Sequence, residues 1–162
     1  MVAADLKSKI SNIYFLWVGD GDLREMMIRL AKDLGVDDRL VITGRQESMS
    51  IPDLLSAMDI FLFTSKFEGL PISILEAMAA KRLIVSTDVD SIPDVVLDGK
   101  TGWTFHPGDY EKASSIIKEV HYNRSRYDGI SKAAFDLINK EYSPARKMSE
   151  EFDGIYKKVL LM

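Results

Sequence analysis

The sequence predicts an α/β fold in which a parallel sheet carries helices on both faces. Short apolar runs alternate along the chain with segments whose apolar residues recur at helical spacing, and this alternation is typical of repeated βα units. Several of the runs end at a glycine or an aspartate, as buried parallel strands do where they enter a turn. The 162 residues are 46% hydrophobic and 28% charged, which is enough for one domain with a sizeable core.

The first part of the chain contains two predicted strands. The apolar run at residues 14–18 ends at the turn Gly19-Asp20-Gly21, and a second run at residues 40–43 ends at Gly44. Between them, Asp22 is expected to cap a helix that Gly35 closes. Residues 1–9 have the pattern of the end of an earlier helix.

The second part continues the alternation. Pro71 is expected at the first helical position, because an N–H at that position would have no hydrogen-bond acceptor within the helix and its absence costs nothing. Asp109 is expected to cap the first of the closing helices, and Ser143-Pro144 to open the last one. Ligands of such sheets bind at the C-terminal ends of the strands, so the loops after the strands are the candidate sites. The predicted elements are a helix at 51–58, a strand at 59–63, a helix at 71–80 and strands at 83–87 and 102–105.

The composition excludes several classes of protein. A net charge of −4 gives no general attraction to nucleic acid or to an anionic membrane surface. The absence of cysteine excludes disulfides and thiolate metal sites. No apolar run approaches the roughly 18 residues that span a bilayer, and the first residues do not resemble a signal peptide. We therefore expect a cytoplasmic protein, with any attachment to the inner membrane face made through another domain.

The most informative segment runs from Ser65 to Ala80. Glu68 falls in the loop after a strand, and Glu76 falls about one and a half turns into the next helix. The free N–H groups of a helix start favour an anion, and carboxylates suit sugar hydroxyls. The combination indicates a site for a sugar nucleotide, whereas the plainer interpretation is a loop carboxylate that stabilises a helix start, together with a solvent-facing helix residue.

This segment resembles the Glu-x(7)-Glu signature of retaining glycosyltransferases of family 4, in the C-terminal half of the GT-B fold. The resemblance implies a Rossmann-like domain that binds a nucleoside-diphosphate sugar and works without a metal or other cofactor. It assigns the catalytic position, facing the donor sugar, to Glu68, and the ribose to Glu76. Gly44 and Arg45 would lie at the nucleobase, and Gly19 and Gly21 at the edge of the cleft. The loop and helix start would contribute backbone groups of Gly69, Leu70, Pro71, Ile72 and Ser73.

The sequence departs from the family pattern at two turns. Asp90-Ser91 stands where the family more often has two glycines, so we expect a less compact loop there, and Lys81-Arg82 replaces a usual Gly-x-Pro turn. Two other motifs are weaker. Residues 19–24 imitate a dinucleotide fingerprint, but Arg24 stands at its third glycine. Asp88 and Asp90 have the spacing of a metal-binding Asp-x-Asp pair.

The resemblance also implies that residues 1–162 are a single nucleotide-sugar-binding domain from a two-domain enzyme. The family's first strand, the Arg/Lys loop that follows it and the N-terminal acceptor domain are not recognised in the sequence. The expected partners are the nucleoside-diphosphate sugar, that N-terminal domain and an acceptor glycan or lipid-linked glycan, in cell-envelope or capsular polysaccharide synthesis. The alternative is a doubly wound nucleotide-binding or interaction module without transfer activity.

Overall fold

A computed structural model describes residues 1–69 and 71–142 of the chain. Strands and helices alternate as predicted, and short 3₁₀ turns precede β2, α3 and α7. The helix predicted to open at Ser143-Pro144 lies outside the described residues. The elements are α1 (Val2–Lys7), β1 (Phe15–Val18), α2 (Arg24–Asp33), β2 (Leu40–Gly44), α3 (Ile51–Ser56), β3 (Ile60–Phe63), α4 (Ile72–Ala79), β4 (Leu83–Thr87), α5 (Ile92–Val95), β5 (Trp103–Phe105), α6 (Tyr110–Tyr122) and α7 (Asp128–Glu141).

Every strand pairs in parallel, which confirms the predicted fold class. The strands nevertheless form two sheets, one of β1 and β2 and one in the order β3-β4-β5. Within the described part of the chain, β1 pairs only with β2, and β3 pairs only with β4. No hydrogen-bonded pairing joins β1 to β3 among these residues.

The strand β4 is the centre of the core, and all five of its residues are buried. Side chains alternate between the two faces of a strand, so Val85 enters one hydrophobic cluster and Ile84 the other. Helices α1 and α6 cover the first cluster, and helices α4, α5 and α7 cover the second. Helices therefore lie on both faces of the three-stranded sheet, as predicted.

The helix ends differ from the predictions in two places. Helix α2 begins at Arg24 with Leu23 as its N-cap and no side-chain cap, so the prediction that Asp22 caps it is wrong. Pro71 was predicted at the first helical position of α4. It is instead the N-cap, in an extended conformation, and the helix begins one residue later, at Ile72. The cap of α6 is confirmed, because the Asp109 side chain accepts a hydrogen bond from the Lys112 amide at 2.9 Å.

Among the described residues, no helix is both long enough and apolar enough to cross a bilayer.

Candidate functional site

The carboxylate of Glu68 is held in the loop between β3 and α4. The residue is half-buried, and its Oε1 accepts a hydrogen bond from the Ser65 hydroxyl at 3.0 Å. The Ser65 carbonyl in turn accepts from the hydroxyl of Thr87, at the end of β4, at 2.7 Å. Because Thr87 is 1% exposed, this short chain of hydrogen bonds connects Glu68 to the most buried strand.

The backbone around Glu68 is held by the loop after β4. The Glu68 N–H donates to Asp90 Oδ2 at 2.7 Å, and the Ser91 hydroxyl donates to the Gly69 carbonyl at 2.7 Å. The two side chains that stand in place of the family's glycines therefore both bridge to the neighbouring loop. Sequence reasoning missed these two residues, although the replacement of two glycines was a visible signal.

Helix α4 begins directly after this loop. The first N–H groups of a helix have no acceptor within it. That of Ile74 donates to the Pro71 carbonyl at 3.1 Å, so Ile72 and Ser73 present the open donors. Glu76 lies in the second turn and is exposed. Leu70, also predicted to contribute its backbone, lies outside the described residues.

Gly69 is not required by the protein itself. Among the residues that the structure describes, no atom lies within 4 Å of a Cβ built on Gly69, and the φ of this residue is not in the left-handed region. Steric contact inside the chain therefore gives no reason for a glycine at this exposed position.

The other predicted residues lie on the two-stranded sheet. Gly19 follows β1 and donates its N–H to the carbonyl of Gly44, at the end of β2, at 3.0 Å. Gly44 has a φ of 71°, in the left-handed region that favours glycine. Arg45 is exposed and forms no ion pair with any residue in the described ranges. The two glycines are therefore brought together, with a free cation beside them.

Gly19 and Gly21 also line a depression of about 360 Å³ at the end of β1, together with Trp17, Leu23 and Ile42. The Gly21 N–H donates to its neighbour Asp20 at 2.9 Å. The predicted residues thus form two groups, one on each sheet. Within residues 1–69 and 71–142, no hydrogen bond or ion pair connects the glycine group to the Glu68 loop.

Asp88 and Asp90 are directed to different partners. Asp88 Oδ1 lies 3.4 Å from His106 Nδ1, whereas Asp90 accepts from the Glu68 amide. No three His, Cys, Asp or Glu side chains of the described ranges are arranged to hold a metal ion. The geometry gives no support to the Asp-x-Asp metal interpretation.

Comparison with known families gives a match over most of the chain. The family model described as "Glycosyl transferases group 1" matches residues 1–136. N-acetyl-alpha-D-glucosaminyl L-malate synthase of Bacillus anthracis is 28% identical over 149 residues, which cover 90% of this chain and 37% of that protein. Alpha-D-kanosaminyltransferase of Streptomyces kanamyceticus is 27% identical over 157 residues, or 97% of this chain and 40% of that protein. The chain thus spans well under half the length of these relatives.

Solved structures show the same fold. The C-terminal domain of the glycosyl transferase group 1 family protein LpcC from Francisella tularensis superposes with a TM-score of 0.79 at 22% identity, over 88% of this chain and 76% of that one. Anabaena Alr3699/HepE, solved in complex with UDP and glucose, superposes with a TM-score of 0.83 at 20% identity, over 94% of this chain and 44% of that one. The expected Rossmann-like C-terminal architecture is confirmed.

Proposed function

This chain belongs to the glycosyl transferases group 1 family, and we propose that it is the donor-binding domain of a retaining glycosyltransferase. The enzyme would move a sugar from a nucleoside-diphosphate sugar to an acceptor hydroxyl. The observation that carries the proposal is the placement of Glu68. Its half-buried carboxylate accepts a hydrogen bond from Ser65 and lies in the loop that leads directly into α4, whose first N–H groups are open.

Glu68 is the residue that acts on the sugar. Departure of the diphosphate from the anomeric carbon develops positive charge on the sugar ring, and a fixed carboxylate stabilises that charge without having to reorganise. Glu68 accepts a hydrogen bond from Ser65 and keeps its second oxygen for the donor. No step in this proposal uses a metal ion or another cofactor.

The other parts of the donor, namely the diphosphate, the ribose and the nucleobase, would be bound by residues outside the Glu68 loop. The N–H groups of Ile72 and Ser73 suit the diphosphate, because the helix start combines open donors with a partial positive charge. Glu76, exposed in the second turn, would accept hydrogen bonds from the ribose hydroxyls. The nucleobase would lie by Gly44 and Arg45, with Gly19 and Gly21 at the edge of its site.

The acceptor would be held by a second domain outside this chain, since the relatives are more than twice as long as the segment they share with it. A glycan or lipid-linked glycan of the cell envelope or capsule is the proposed acceptor, because relatives include a lipopolysaccharide core glycosyltransferase of Rhizobium meliloti and an amylovoran biosynthesis glycosyltransferase of Erwinia amylovora. We propose a cytoplasmic location, where nucleotide sugars are made.

A titration of the isotopically labelled chain tests binding directly. UDP-glucose, UDP-N-acetylglucosamine and GDP-mannose are added in turn without metal, and amide shifts are followed by NMR. We expect weak binding, with shifts clustered from Glu68 to Glu76. Gly69→Ala is the matched variant, because its Cβ meets nothing in the protein and any loss of binding is then a contact with ligand. Shifts spread evenly over the surface, or binding that a chelator abolishes, would contradict the proposal.

Two isosteric variants of the full-length enzyme separate the roles of the carboxylates. Glu68→Gln should lower kcat by on the order of 100-fold, because the carboxylate counts most where charge develops. Glu76→Gln should mainly raise KM for the donor, because ribose hydroxyls do not change during the reaction. Steady-state kinetics measure both effects, and wild-type values of kcat and KM in both variants would exclude this donor site.

A further inference from the structure

Two neighbouring side chains close over the backbone at Glu68 and Gly69. Asp90 Oδ2 accepts a hydrogen bond from the Glu68 N–H at 2.7 Å. The Ser91 hydroxyl donates a hydrogen bond to the Gly69 carbonyl, also at 2.7 Å. We call Asp90 and Ser91 the clasp. Both residues lie in the loop between β4 and α5, so the clasp fastens the loop of one strand to the loop of the next.

The backbone of the clasp is in an unusual conformation. Asp90 has a φ of 47°, and only one other non-glycine in the described ranges, Lys81 at 56°, shares this region. L-residues disfavour it, and Asp and Asn tolerate it best among those with side chains. An outlier of this kind persists where the surroundings fix it, and its presence beside a site points to a role there. Here the conformation accompanies the hydrogen bond from the Glu68 amide.

The carboxylate of Glu68 is held by a second set of contacts. Thr87 binds the Ser65 carbonyl, and Ser65 binds Glu68 Oε1. The clasp holds the main chain of the same residue. The backbone of Glu68 is therefore held by the clasp and its carboxylate by Ser65, while the side chain itself is only half-buried.

From this geometry we infer that Asp90 and Ser91 are positioning residues that aim the Glu68 carboxylate at the donor sugar. The inference rests on the proposed function of Glu68. The N–H of Glu68 and the carbonyl of Gly69 are occupied by the clasp, so the donor would be met by the Glu68 carboxylate and by the amides of Ile72 and Ser73. Without the clasp, Glu68 would sample orientations that do not face the reacting carbon, which lowers kcat more than it raises KM.

The first test needs no donor. In the NMR spectrum of this chain, Asp90→Gly should speed exchange of the Glu68 amide proton by about ten-fold, the effect of losing one hydrogen bond to a charged group. Asp90→Asn keeps an acceptor and tolerates the positive φ, and should recover most of the protection. Lys81→Gly is the matched control, because it relieves the other positive φ without touching the Glu68 loop. Unchanged exchange in Asp90→Gly would overturn the inference.

The second test is kinetic and uses the full-length enzyme. Asp90→Gly should lower kcat by about ten-fold with a smaller change in KM, and Asp90→Asn should restore most of it. In a Glu68→Gln background, Asp90→Gly should cause little further loss, since the two residues act through one carboxylate. An equal loss in both backgrounds, or full kcat in Asp90→Gly, overturns the clasp while leaving the role of Glu68 intact. If Glu68→Gln itself keeps full kcat, the proposed function fails and the inference fails with it.

Discussion

The central strand of the three-stranded sheet is much more deeply buried than either strand of the two-stranded sheet, although their residues are similar. All five residues of β4 are buried, with Ile84 and Val85 at 0% exposure. Strand β1 is equally apolar in sequence, yet each of its residues is only half-buried, and Val41 of β2 is 53% exposed. The difference follows from position, because β4 has a strand on each side and helices over both faces, whereas within the described residues β1 pairs with β2 alone.

This contrast extends to the candidate site. The Glu68 loop is fastened by the side chain of Thr87, at the buried end of β4, and by that of Asp90, in the exposed loop that follows this strand. The glycine loops of the other sheet are joined mainly backbone to backbone, between Gly19 and Gly44. The residue expected to act on the sugar is therefore held from the end of the buried strand β4, and the residues expected at the base lie on the two-stranded sheet.

The largest expected effect on stability comes from truncating one isoleucine to alanine in each of the two sheets. Ile84→Ala should lower the free energy of unfolding by about 2–5 kcal/mol, the range for a fully buried isoleucine. Ile42→Ala in β2 should lose roughly 1 kcal/mol, because its half-buried side chain has less apolar area to expose. Urea denaturation of the two variants measures both values. Equal losses would show that the two sheets are equally well packed and would break the comparison.

The next largest effect on stability is expected from replacing a tightly packed glycine by alanine, compared with the same replacement at an open glycine. A Cβ at Gly102 would lie 2.8 Å from the Ile84 carbonyl and 2.8 Å from Val96 Cγ1, so Gly102→Ala should destabilise by about 1–3 kcal/mol through overpacking. A Cβ at Gly21 meets nothing within 4 Å, and Gly21→Ala should stay within about 0.5 kcal/mol of the parent. Thermal denaturation compares them. A Gly21 variant as damaged as the Gly102 variant would mean that the β1 loop is packed as tightly as the core.

The sequence predicts the fold well where local pattern decides it. The strands and most helices lie within a few residues of their predicted positions, and the Asp109 cap is confirmed. The division into two sheets could not be predicted, because strand pairing depends on neighbours that an apolar run does not specify. The Asp22 cap was wrong for a related reason, since a capping residue is only a local preference and α2 starts after Leu23 instead.

The positions of the two carboxylates in the fold could be predicted, but the contacts around Glu68 could not. Glu68 was expected in a loop after a strand and Glu76 in the next helix, and the structure has Glu68 half-buried in the loop before α4 and Glu76 in that helix. The contacts of Asp90 and Ser91 join residues 22 positions apart, a separation that no local pattern encodes. The sequence at positions 90 and 91 shows only that glycine is absent, whereas the hydrogen bonds of Asp90 and Ser91 depend on how the two loops meet in the fold.

The smallest expected effect concerns the tie between α1 and the two-stranded sheet. The ammonium of Lys7 contacts Asp38 Oδ1 at 2.5 Å and the Gly35 carbonyl at 2.6 Å, just before β2. The hydrogen bond from Lys7 holds the pKa of the Asp38 carboxyl below its ordinary value. A carboxyl whose pKa is lowered in the folded state contributes stability above its unfolded pKa of about 3.9, and that contribution is lost as the pH falls from there through the lower folded-state pKa.

We therefore expect Asp38→Asn to be slightly less stable than the parent at pH 7, and the difference should shrink as acid protonates the Asp38 carboxyl of the parent. The pKa of Asp5 is also lowered, chiefly by its hydrogen bond from Lys9. The pH dependence of the parent's free energy of unfolding therefore contains both carboxyls, and the contribution of Asp38 is the difference between parent and variant at each pH. Hydrogen exchange then locates the effect. Because Lys7 joins the well-packed helix α1 to the residues before β2, protection should fall in β1 and β2 and stay unchanged in β4. A loss spread evenly over both sheets would mean that they unfold as one unit, and the difference in burial between them would then have no counterpart in local stability.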